Sequence, residues 1–133
     1  MLAGYFLTTI VFFAIDIVWL GVIAKNMYQK YLGSFLTDQV NWVAAVIFYL
    51  LFIVGILVFA VYPGIQKGSV LTALLLGAFF GMCAYATYDL TNLATLKNWP
   101  IQIVFIDILW GAVLTGVVSV CGFYIVRFLN SAL

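Results

Sequence analysis

Four runs of about 20 or more mainly apolar residues fill this chain almost end to end, and about 20 residues of helix cross the hydrocarbon core of a bilayer. They occupy residues 2–24, 42–62, 70–96 and 101–128. The second run stops at Pro63-Gly64 and the third at Asn98-Trp99-Pro100, and most of the charges collect between runs. Inside a bilayer the backbone amides have no water to bond, so each run has to be helical. Composition points the same way: 68% of the 133 residues are hydrophobic and 7% charged, against about 45–50% and 25% in soluble domains. A water-soluble fold of this size leaves too much surface exposed to hide so much apolar area. The expected fold class is an all-α integral membrane protein, a four-helix transmembrane bundle forming one domain over residues 1–133. Its connections are short except the first, Lys25–Val40. There Tyr28, Tyr31, Leu32 and Phe35 fall at helical spacing, which fits a short helix lying in the membrane interface or an ordered loop.

Several function classes drop out at once. Five Lys and Arg and a net charge of +1 give no basic face for nucleic acid. With no His in the chain, a Ser-His-Asp triad, an imidazole zinc site and a histidine proton shuttle are excluded. The two cysteines, Cys83 and Cys121, lie inside apolar runs and make no disulfide scaffold. The first run reads as a retained span: no Lys or Arg precedes it and it contains an acid, Asp16. Lys25, Lys30 and Lys97 fall near one membrane face, here face A, while Lys67 and Arg127 fall near the opposite face B. So small a difference leaves orientation open.

The informative residues are the acids. Of four Asp, only Asp38 lies in a connection; Asp16, Asp89 and Asp107 lie inside the apolar runs. An Asp at the centre of a span costs about 2.5–3.5 kcal/mol on the insertion scale, which the surrounding apolar residues absorb only if the carboxyl faces the bundle interior or water. Asp16 precedes Lys25, and Asp89 precedes Asn98, by about 13.5 Å of helix; Asp107 follows Pro100 by about 10.5 Å. Because successive spans alternate in direction, all three distances are measured from face A. The three carboxyls are expected in one layer, part-way to the midplane.

Their surroundings repeat. The first span reads Ile15-Asp16-Ile17-Val18-Trp19 and the fourth Ile106-Asp107-Ile108-Leu109-Trp110. Asp and Trp three apart share a helix face, and the two spans run in opposite directions, a hint of inverted-repeat architecture. Trp19 and Trp110 are expected to wall the acid layer, with Trp42 and Trp99 in an interfacial belt. In the third span Tyr85, Asp89 and Asn92 share one face, which continues as Ala73, Gly77 and Gly81, small enough to let another helix approach closely. Lys97 and Lys25 sit at the mouth of the layer, either snorkelling outward or reaching in as counter-ions. With its polar neighbours, Asp89 is expected to stay ionised while Asp16 or Asp107 holds a proton.

Asp16-Ile17-Val18-Trp19-Leu20-Gly21, then Tyr85-Ala86-Thr87-Tyr88-Asp89-Leu90-Thr91-Asn92-Leu93-Ala94-Thr95 with Asn98-Trp99-Pro100, then Asp107-Ile108-Leu109-Trp110-Gly111 carry a resemblance. In these segments the chain resembles the domain-of-unknown-function 2177 family of predicted bacterial membrane proteins. The resemblance implies a four-span protein of the bacterial inner membrane, and it supplies no activity. Members look to be encoded near cyclopropane-fatty-acid-synthase-like genes, which implies a link to lipid modification or envelope stress.

The residues support a ligand or proton site at Asp16, Asp89, Asp107, Asn92, Tyr85, Trp19 and Trp110, taking a small or lipid-like molecule from face A. Proton-coupled transport or binding is one use of such a site; small multidrug resistance exporters, which look superficially similar, exchange protons for cations at a membrane acid. A membrane-embedded lipid-modifying enzyme, or an accessory subunit of a lipid-modifying complex, is the alternative. The face B half is nearly all apolar, so alternating access would require a homodimer. No metal set and no cofactor is assigned.

Overall fold

The computed structural model describes residues 2–132, and among them every regular element is helical. Helix α1 (Leu2–Val18) runs into a wider π-type turn, Trp19–Ile23, and is followed by α2 (Lys25–Leu32). Helix α3 (Trp42–Ile56) also passes through a π-type turn, Leu57–Val61, into α4 (Tyr62–Lys67). Helices α5 (Val70–Thr95) and α6 (Ile101–Ala132) complete the chain. Four continuous helical segments are long and apolar enough to cross a membrane: Leu2–Ile23, Trp42–Lys67, Val70–Thr95 and Ile101–Ala132. This is an all-α, multi-pass membrane bundle in contact with lipid.

Local chemistry sets the ends. The Asn41 side chain accepts the Ala44 N–H at 3.1 Å and Ser69 Oγ accepts the Thr72 N–H at 3.2 Å, starting α3 and α5. Gly68, at φ +61°, closes α4. The expected stop at Pro63-Gly64 does not occur, and the fourth helix likewise runs past the expected end at residue 128. The wide turn before Tyr62 restarts the helix, so Pro63 falls in a first turn, where its missing N–H is not needed. In the first connection the expected interfacial helix forms as α2; it carries Tyr28, Tyr31 and Leu32 but ends before Phe35.

Helix α6 is the most buried span and the others pack around it. Its seam with α5 is an antiparallel ladder in four-residue steps. A Cβ on Gly77 would collide with Ser119, one on Gly81 with Thr115 and the Gly111 carbonyl, and one on Gly111 with the Tyr85 ring. The rungs are thus Gly77 with Ser119, Gly81 with Thr115 and Tyr85 with Gly111; the next four-residue step sets Asp89 beside Asp107. Ala73, fully buried, extends the ridge to α4, where a Cβ on Gly64 would lie 2.7 Å from its own. Small residues at every fourth position remove the side-chain spacer and bring the backbones together. The apolar core, with Phe12, Ile53, Ile56, Leu114 and Val118, lies between this seam and helices α1 and α3.

Candidate functional site

Toward face A the bundle opens into a cavity of about 660 Å³. Asp16 and Trp19 of the first span, Tyr49 of α3, Tyr85 of α5, and Asp107 and Trp110 of α6 line it. Helix α2 closes the outer side with Lys25, Tyr28, Gln29 and Leu32. Two of the three acids expected in one layer, Asp16 and Asp107, therefore meet in this cavity. Asp16 and Asp107 are 5% and 7% exposed, and Asp89 is completely buried behind Asp107, outside the cavity lining.

Trp19 and Trp110, the matching residues of the two Asp-x-x-Trp segments, stack with ring centroids 4.2 Å apart and planes 9° from parallel. The Trp110 indole N–H is turned toward Asp16 but reaches no acceptor in full hydrogen-bonding geometry. The Trp19 indole does not reach a carboxylate directly. Its Nε1–H donates to the Tyr28 hydroxyl at 3.1 Å, and that hydroxyl donates to Asp107 Oδ1 at 2.6 Å. Burial first, and then the Asp107 carboxylate beside it, push the Tyr28 hydroxyl above its ordinary value, so it remains a donor. This one side chain ties α2 to both the first and the fourth spans.

Asp16 has its own donor: Tyr49 Oη, at 3.3 Å from Oδ2. Asp89 has none. Both its oxygens are buried without a hydrogen-bond donor, and its neighbours are the Asp107 carboxyl and the Trp99 indole. The sequence expectation put the richest polar support at Asp89, and the donors lie elsewhere. Asn92 is turned to Tyr88, four residues back on the same helix, and does not line the cavity. Tyr85 lies near all three acids with its ring over Gly111.

Two further expectations change. Trp42 is 71% exposed, as a belt residue should be, but Trp99 is only 7% exposed and packs with Leu32, Ile103 and Val104. Asn98, at φ +61°, reverses the chain after α5 and swings Trp99 back under α2, where Phe35 and Tyr88 flank its ring. Lys25 is exposed on the cavity rim, and Lys97 is exposed and lies outside the lining. No lysine or arginine is among the groups acting on Asp16 or Asp89. Among the described residues no group of three or more His, Cys, Asp or Glu is arranged to hold a metal ion.

Tyr49 joins the site without a motif to mark it; its one signal in the sequence is that it is the single phenol of α3, in an otherwise hydrocarbon stretch. Tyr28 lies in the expected interfacial helix but reaches down to Asp107; its signal is an aromatic hydroxyl on the face of α2 that also carries Leu32.

A model of the family described as predicted membrane protein (DUF2177) matches residues 1–124. No curated protein and no solved structure matches the chain.

Proposed function

Since this chain belongs to the DUF2177 family of predicted membrane proteins, a description that carries no activity, we propose a function from the cavity itself: it binds small or lipid-like cations within the membrane. The observation that carries the reading is the pairing of Asp16 and Asp107 in one aromatic-walled cavity with no basic partner acting on Asp16. A buried carboxylate without a counter-ion is unfavourable until a cation or proton arrives. The stacked indoles and the Tyr28, Tyr49 and Tyr85 rings add attraction for a cation through their π faces and shed water from its apolar groups. A hydrophobic ammonium or phosphonium suits this lining better than a metal ion, which prefers a shell of oxygen ligands.

Phe48 also lines a second, wholly apolar groove of about 450 Å³ with Leu51, Phe52, Val58, Phe59 and Phe80. A hydrocarbon tail entering there would leave a polar head beside Asp16. This favours an amphiphilic ligand over a fully hydrated one.

The test is a fluorescence titration of the protein in nanodiscs, read from its tryptophans. Tetraphenylphosphonium is expected to bind saturably, with affinity about tenfold weaker in Asp16→Asn and Asp107→Asn, the ratio that about 1.4 kcal/mol produces. Tetraphenylborate, of the same shape and opposite charge, is expected to give no saturable response. Equal responses to the two ions would overturn the reading and leave a cavity selecting by hydrophobicity alone.

A further inference from the structure

The cavity uses two acids, and the third lies behind it. Asp89 is 0% exposed, makes no contact with the cavity, and offers two oxygens without a donor. The Trp99 indole Nε1–H, also buried and unpartnered, is turned toward it from the chain reversal at face A. On the other side stands the Asp107 carboxyl, at the rung where the α5–α6 ladder brings the two helices close. Two ionised carboxylates at that rung would repel one another in a medium of low dielectric, with no donor between them. A single proton removes both faults: it cancels one charge and supplies the missing O–H between the two carboxyls.

We propose that Asp89 and Asp107 form a proton-binding site, in which the two carboxyls share one proton that exchanges with water only through Asp107. The surrounding groups fit a site of this kind. Around Asp107 stand Tyr28 from α2, Asp16 from the first span, and Tyr85 and Tyr88 from α5; around Asp89 stand Trp99, Tyr85 and Tyr88. Tyr49 serves Asp16, and Lys25 stands on the cavity rim. The phenols are neutral donors, and Lys25, the one cation among these neighbours, is exposed on the rim and is not among the groups acting on Asp89. Asp107 lines the cavity while Asp89 does not, so the proton leaves from Asp107 to water in the cavity, and the pair goes from one negative charge to two. Tyr28 stabilises the charge on Asp107 by its hydrogen bond. The site needs no ligand in the cavity and stands whether or not the cavity selects cations.

The experiment is infrared spectroscopy of the ligand-free protein in lipid, with ¹³C-carboxyl aspartate labelling to identify the protonated Asp band, followed across pH 5–9 and through exchange into deuterium oxide. The wild type is expected to show one protonated aspartyl band at neutral pH. Asp89→Asn should abolish it, because Asp107 then faces the cavity with the Tyr28 donor alone. Asp107→Asn should keep the band on Asp89 but slow its deuterium shift by about tenfold or more, since the exit is closed. Asp16→Asn should keep both band and exchange rate. A wild-type protein with no protonated aspartyl band overturns the proposal without reference to any variant. So does a band that survives Asp89→Asn, one that disappears in Asp16→Asn, or one whose exchange is unchanged in Asp107→Asn.

Discussion

Trp19 and Trp110 lie face to face, 4.2 Å between ring centroids, although ninety-one positions separate them along the chain. Each stands three residues after an acid of the same cavity, Asp16 or Asp107. Two short segments of like sequence, on spans that run in opposite directions, thus meet at their aromatic members, as an inverted pair related by a two-fold axis in the membrane would. The pair carries an optical prediction. Parallel indoles at this spacing couple their transitions, so the protein should show an exciton couplet in its ultraviolet circular dichroism. Trp19→Phe and Trp110→Phe should each abolish it, whereas Trp42→Phe, at an exposed site, should leave it intact.

Tyr28 holds α2 down by one hydroxyl that donates to Asp107 and accepts from Trp19. A hydrogen bond to a charged group contributes about 1.5–3 kcal/mol. Tyr28→Phe keeps the ring and removes the tie. Amide hydrogen exchange over residues 25–32 should then accelerate about tenfold or more, in keeping with that energy, while exchange in α5 and α6 stays as in the wild type.

The same hydroxyl sets an alkaline limit. Its folded value is raised above the ordinary 10.0 by burial and by Asp107. Below pH 10 both folded and unfolded forms keep the proton and the tie is fully present. As pH rises above 10 the unfolded phenol ionises first, so this part of the stability is lost toward the folded value. Exchange of α2 amides, corrected for the intrinsic pH dependence, should begin to rise above pH 10 in the wild type. In Tyr28→Phe it should already be fast and should not show that added rise.

The ladder between α5 and α6 has no room for an added side chain at Gly81, whereas a Cβ at Gly21 would meet nothing within 4 Å. Gly81→Leu should lower the thermal midpoint in detergent by the equivalent of about 1–3 kcal/mol or more, the usual penalty of overpacking. Gly21→Leu, the matched control, should leave it within experimental scatter.

The four spans were legible because hydrophobic run length is a direct consequence of bilayer thickness. The common depth of Asp16 and Asp107, which share the cavity, was legible because the rise of a helix converts sequence distance from a boundary into ångströms. The Ala73-Gly77-Gly81 ridge gave away the close seam for a similar reason: only small residues permit it. What sequence did not carry was rotation about each helix axis and the path of the chain between spans. The π-type turn at Trp19–Ile23 offsets the helical phase of the residues that follow, and neither Gly21 nor any proline marks its start. The reversal at Asn98 carried Trp99 from the expected belt into the interior. Tyr28 escaped notice because an amphipathic pattern tells which residues share a face and not whether that face meets lipid or protein. Hydrogen bonds across helices decide which acid has a donor, and they depend on all of these rotations at once.

Membranes differ in thickness, and a spanning protein takes up the mismatch by tilting or kinking its helices or by deforming the bilayer. The α5–α6 seam cannot slide to do this, because its smallest commensurate step is a whole rung, about 6 Å of helix, and intermediate positions drive Tyr85 off Gly111 and into larger neighbours. The first two spans each contain a wide turn, Trp19–Ile23 and Leu57–Val61, and helices bend where the regular ladder is interrupted in this way. A thinner bilayer should therefore bend or tilt the outer spans, while the seam keeps Asp89 and Asp107 level with each other. The seam is a fixed gauge of height, against which the outer spans are the adjustable parts.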